Sequence, residues 1–132
     1  MFYISQMKIN ERPILSNLVM KGTLDIEKFQ NEVIRPIIKM QHNLLIALFQ
    51  DYIKQRKMDF INLKKEKQVE RINTILTKDT NFKSIILGII IGHFSTNELK
   101  FFVQNSLEFK KRIVQIVKHR LEDNQQVILE GL

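Results

Sequence analysis

The chain has 132 residues, 44% of them hydrophobic and 27% charged, with four Gly, two Pro and no Cys or Trp. One domain of this length can bury roughly two thirds of the surface its unfolded chain exposes. The missing thiols exclude a disulfide scaffold or a thiolate zinc site, and scarce Gly and Pro set aside collagen-like, linker-like and turn-rich all-β classes. Lys plus Arg number 21 against 14 Asp plus Glu, a formal +7, which puts an anionic partner first among those to consider.

Residues 1–22 read as a lead-in segment with one short helix, opened by Pro13, carrying Ile14, Leu15, Leu18 and Val19 at helical spacing, and stopped at Lys21-Gly22. The start lacks the basic and apolar regions of a signal peptide, and residues 85–94 are far shorter than a membrane span. The expectation is a cytoplasmic protein with no membrane association.

Thr23 and Asp25 offer N-caps to a long segment reaching about residue 56. Its apolar residues, from Ile26 and Phe29 to Phe49 and Tyr52, fill an arc of roughly 200°, wide enough for neighbours on several sides. Pro36 removes a backbone donor and clashes with the preceding turn, so a kink or break is expected over residues 33–35. Residues 57–60 read as a connection with Asp59 as the next cap. An amphipathic helix over 64–77 would bury Val69, Ile72, Ile75 and Leu76.

Residues 81–92 are apolar nearly all round the helical wheel, from Phe82 to Ile91, the pattern of a fully buried helix. Gly88 and Gly92, one turn apart, would allow a close helix crossing. Ser95 and Glu98 then have capping-box spacing and open a short helix through about Gln104. A last amphipathic helix runs from Leu107 to about Asp123, with Phe109, Ile113, Val114, Ile116, Val117 and Leu121 inward. The bundle domain is thus residues 23–123, followed by a tail, 124–132, ordered only by a partner.

Two polar clusters stand out. Gln30, Asn31, Arg35, Lys39, Gln41 and His42 gather on the long helix, at and inside the edge of its apolar arc. Arg35 beside the kink could hold an anion or a carboxylate such as Asp51, and the cluster as a whole could line a ligand pocket. The second cluster is the basic run over 110–120, which contains no acid. Together with the short helix before it, this run loosely resembles a helix-turn-helix whose outer face would present Lys111, Arg112, Gln115, Lys118 and His119 to phosphates and base edges. The turn has no Gly, and Leu107 and Phe109 put apolar bulk near the helix start, both unusual for a major-groove reader.

No catalytic residue is assigned. His42, His93 and His119 have no metal-ligand spacing, so no metal is expected, and the pair His93 and Ser95 is better explained by helix ends than by a nucleophile and its base. No phosphate-binding glycine loop occurs, and no cofactor is expected.

Two strings, Phe29-Gln30-Asn31 with Arg35-Pro36 and Lys39-Met40-Gln41, and Ile91-Gly92-His93-Phe94 with Glu98, Asn105-Ser106 and Lys111-Arg112-Ile113, are similar to a family of small bacterial all-helical proteins over about residues 13–122. Some of its members carry the name glyoxalase; glyoxalase domains are built from βαβββ units with His and Glu metal ligands, and neither is present here. The resemblance implies an all-helical fold in which the two strings meet, and it implies no catalytic residues.

The sequence therefore predicts a compact all-α bundle of about five helices, with residues 85–91 fully buried at the centre against 44–49 and 113–117. The first functional reading is a non-enzymatic interaction or structural module that self-associates as a dimer, burying apolar residues near both ends (Phe2, Tyr3, Ile4; Val127, Ile128, Leu129). The alternatives are nucleic-acid binding through the basic last helix, and a small-ligand binder or enzyme using the cluster on the long helix.

Overall fold

A computed structural model describes the backbone of residues 22–132 and the side chains from Asp25 onward. The short helix expected near Pro13 and the apolar residues Phe2, Tyr3 and Ile4 lie outside the described residues. Every regular element within them is helical, as the all-α reading requires.

The long apolar segment forms three helices in near-continuous succession: α1 (Gly22–Phe29), α2 (Arg35–Met40) and α3 (His42–Gln55). Because α1 spans Gly22–Phe29, Thr23 and Asp25 fall inside its first turn and not at the position before it. Between α1 and α2 the chain widens into a π-helical turn, Gln30–Ile34, in which the Arg35 amide donates to the Gln30 carbonyl five residues back. Pro36 explains the widening. It cannot donate to the carbonyl of Glu32, and a wider turn relieves the clash between its ring and that carbonyl. A second, unforeseen break sits at Gln41, whose φ of −94° and ψ of 14° leave the helical range.

Helix α3 closes with Lys57 in the left-handed region at φ 51°. The Lys57 amide donates to the Lys54 carbonyl and the Met58 amide to the Ile53 carbonyl, the paired bonds of a Schellman ending with lysine where glycine is usual. Asp59 is not the cap expected of it: its carboxylate accepts from the Asn62 side chain. Helix α4 (Lys65–Lys78) instead has Lys64 at its N-cap position, with no side-chain cap. Its buried face is Gln68, Ile72, Ile75 and Leu76, with Gln68 in the place expected for Val69, which is only partly covered.

Helix α5 (Thr80–Ile91) is capped by Asp79, whose Oδ1 accepts from the Phe82 amide at 3.0 Å. It is not enclosed all round. Phe82, Ile86 and Ile90 are buried, whereas Ile85 is 51% exposed. Gly88 faces open space, so the two glycines make no close crossing among the described residues. The helix packs on α4 and on the last long helix, Ser106–Asp123, and reaches α3 through Phe82, whose ring lies 4.8 Å from that of Tyr52.

Ser95 and Glu98 form the expected capping box at the start of α6 (Thr96–Phe102). A 3-10 turn, Val103–Asn105, leads into α7 (Ser106–Asp123). This last long helix, not the isoleucine-rich one, is the hub of the bundle, touching α4, α5, the π turn and the C-terminal helix. Phe109, Ile113, Val117 and Leu121 recur every four residues and are wholly buried. Phe109 joins Phe29, Phe101 and Phe102 in an aromatic cluster with ring separations of 4.9 to 5.8 Å.

The expected partner-ordered tail is a helix of this fold, α8 (Gln125–Glu130). Ile128 is fully buried in the main core, and the Gln50 amide of α3 donates to the carbonyls of Val127 and Ile128. Gly131 lies so near Gln50 that a Cβ there would displace the amide.

Candidate functional site: an arginine cleft beside the last long helix

The π turn and the start of α2 lie against one flank of α7, and this brings the two polar clusters of the sequence together. Gln30 Oε1 accepts from Arg112 Nη1 at 2.7 Å across 82 residues of chain. His42 Nδ1 lies 3.1 Å from Arg120 Nη1. Since a guanidinium has only donors, the imidazole nitrogen must accept, which puts the ring proton on Nε2.

Between these contacts opens a cleft of about 470 Å³, walled by Gln30 and Arg35 on one side and by Arg112, Gln115, Ile116, His119, Arg120 and Asp123 of α7 on the other, with Asn124 at its end. Three arginines, one from the start of α2 and two from α7, thus line this cleft with a single carboxylate, Asp123. Arg112 is paired with Glu108 at 3.2 Å. Neither Arg35 nor Arg120 makes an ion pair among the described residues. Arg35 Nε donates to Asn31 four residues back, at 3.2 Å, and not to the Asp51 carboxylate suggested by sequence. Arg120 is held by His42, its own carbonyl accepts from the Asn124 amide at 2.6 Å, and its Nε is buried without an acceptor.

The cluster on the long helix therefore divides. Gln30, Arg35 and, through Arg120, His42 belong to the cleft, with Asn31 supporting Arg35. Lys39 is exposed and lines none of it. Gln41 turns the other way, its amide 2.9 Å from the His93 ring, which ties the break between α2 and α3 to the end of α5. That contact also gives His93 a role in the fold, while Ser95 Oγ is taken up in accepting from the Glu98 amide.

The basic face of α7 divides too. Arg112 and His119 line the arginine cleft, Lys111 and Lys118 lie on the opposite flank, and Gln115 sits on the ridge between. Sequence inspection missed Arg120 and Asp123 as lining residues. Arg120 falls on the inner half of the wheel, and an arginine at such a position is the signal that could have identified it.

Among the described residues no three His, Cys, Asp or Glu gather as metal ligands would. No described helix is long and apolar enough to cross a membrane. A scan against protein-family models and searches of curated proteins and of solved structures returned no match to this chain.

Proposed function

We propose that the protein is a non-enzymatic binding module whose arginine cleft receives a phosphate-bearing ligand. One observation supports this above the others: Arg35, Arg112 and Arg120 converge on one cleft, and two of the three guanidinium groups, those of Arg35 and Arg120, make no ion pair among the described residues. Guanidinium groups present planar arrays of donors matched to phosphate oxygens. Each charge-assisted hydrogen bond contributes about 1.5–3 kcal/mol. Two or three of them place the affinity for a polyphosphate in the millimolar to micromolar range.

The reading unites the two alternatives drawn from sequence, an anion pocket on the long helix and a phosphate-binding face on the last helix. Nucleic acid is one source of such phosphates, held at one flank of α7 and not by a helix laid in the major groove. Self-association loses one of its supports, because Ile128 of the C-terminal segment is already covered by its own chain.

Tripolyphosphate is a suitable probe. Followed by thermal shift, it should raise the melting temperature of the wild-type protein in a saturable way, and the effect should shrink with added salt. An equal shift for Arg35→Gln would refute the cleft as the binding site.

A further inference from the structure

The opposite flank of α7 has a different chemistry. A groove of about 480 Å³ runs between α7, the start of α5 and the end of α4. Its floor and lip are Leu76, Leu87, Leu107 and Val114, and Leu107 is 72% exposed. Its rim carries Lys83, Lys110, Lys111 and Lys118, with no acidic residue in the lining. No ion pair engages any of these lysines among the described residues; Lys83 and Lys118 reach only the Thr77 carbonyl and the Asn73 side chain.

We propose that this groove docks an acidic amphipathic helix of another protein, its apolar stripe on the leucines and its carboxylates against the lysines. The charge pattern selects this occupant. Four uncompensated positive charges around an apolar floor are complementary to a helix that is acidic along both edges of an apolar stripe. From Leu107 to Lys118 the groove follows α7 for roughly 16 Å, the length of about three helical turns. A nucleic-acid strand would satisfy the lysines but leave Leu107 and Val114 against charged backbone, with no aromatic side chain in the lining to stack on a base. This chain's own residues 1–21 carry Lys8, Arg12 and Lys21 against Glu11 alone, the same sign as the rim. The proposal is independent of the phosphate reading, because it concerns the other flank of the helix.

The test uses a labelled synthetic peptide of about 15 residues, with leucines at helical spacing flanked by glutamates, and a scrambled peptide of identical composition, titrated with the full chain in fluorescence polarisation. The ordered peptide should bind at least tenfold more tightly than the scrambled one. Leu107→Asp and Lys111→Glu, both at exposed positions, should each weaken it tenfold or more, while Arg35→Gln in the other cleft leaves it unchanged. Equal binding of the two peptides, or insensitivity to Leu107→Asp in a variant with wild-type circular dichroism, overturns the proposal. So does a single-stranded oligonucleotide that displaces the peptide at equal charge concentration. Sedimentation showing that Leu107→Asp splits a dimer would assign the groove to a second copy, and hydrogen exchange showing that it releases residues 1–21 would assign it to the chain itself; either result overturns the proposal.

Discussion

Gln68 and Gln125 place two amides inside the core, Gln125 Nε2 donating to Gln68 Oε1 at 2.9 Å. Gln68 in turn donates to the carbonyls of Phe60 and Leu63, and Gln125 to that of Lys65. Leucine at position 68 would leave the Leu63 carbonyl without its donor and Gln125 Nε2 with the Lys65 carbonyl alone, while the Phe60 carbonyl keeps the Leu63 amide, so Gln68→Leu should cost about 1–3 kcal/mol despite its greater hydrophobicity. Urea unfolding would show this as a lower midpoint with an unchanged slope. Asp79 is a second such residue. It caps α5, accepts from the Tyr52 hydroxyl and lies 3.5 Å from Arg56. The Phe82 amide first, then the Tyr52 hydroxyl, hold its carboxyl below the usual carboxylate range. A depressed folded-state pKa adds stability above the ordinary carboxylate pKa, lost as pH falls through the folded value. Stability should therefore decline on acidification through that window, and Asp79→Asn should flatten the decline in an acid titration of the melting temperature. Burial first, then Asp79, pushes the Tyr52 phenol upward, so its share of the stability is present below the ordinary phenol range and is lost as pH rises through the raised value. Neither residue stood out in the sequence, because a partner 27 residues away leaves no local spacing signal.

Helix ends and interiors carry their own tests. Lys57 holds a left-handed conformation that costs an L-residue about 1–2 kcal/mol relative to glycine, so Lys57→Gly should stabilise α3 by roughly 1 kcal/mol. Gly88→Ala should also stabilise, by about 0.5–1 kcal/mol, because the new Cβ meets nothing within 4 Å and the helix gains propensity. Differential scanning calorimetry of both variants checks the sign; a loss at Gly88 would mean that this face of α5 is covered. Much at this scale was legible. The capping box at Ser95, the distortion ahead of Pro36 and the stripe of α7 all follow from local chemistry and period. The burial of α5 was not, because a helix with isoleucine on every side has no amphipathic face to show which sides receive neighbours. The C-terminal segment misled for the opposite reason: six residues are too few to show a period, and α8 is held by Gln50 and by Gln68 from outside itself.

At the scale of the molecule, the all-α class was legible from composition and periodicity, and so were most residues of the cleft, but as two separate lists. A helical wheel tells which side chains share a face; it does not tell which faces meet. Only the packing of the π turn and the start of α3 on α7 sets Gln30 beside Arg112 and His42 beside Arg120. The same packing splits the basic run into an arginine cleft and a lysine-rimmed groove on opposite flanks of one helix. The +7 of the chain becomes two surfaces with different chemistry, one lined by arginines and one with lysines around a leucine floor.

The central claim is that the arginine cleft binds phosphate, and isothermal titration calorimetry of tripolyphosphate into the wild-type protein, Arg35→Gln and Lys111→Gln tests it most directly. One saturable site per chain is expected, weakened about tenfold by Arg35→Gln, the equivalent of roughly 1.4 kcal/mol, and unchanged by Lys111→Gln. Absence of binding heat, or an equal loss for both variants, would contradict it.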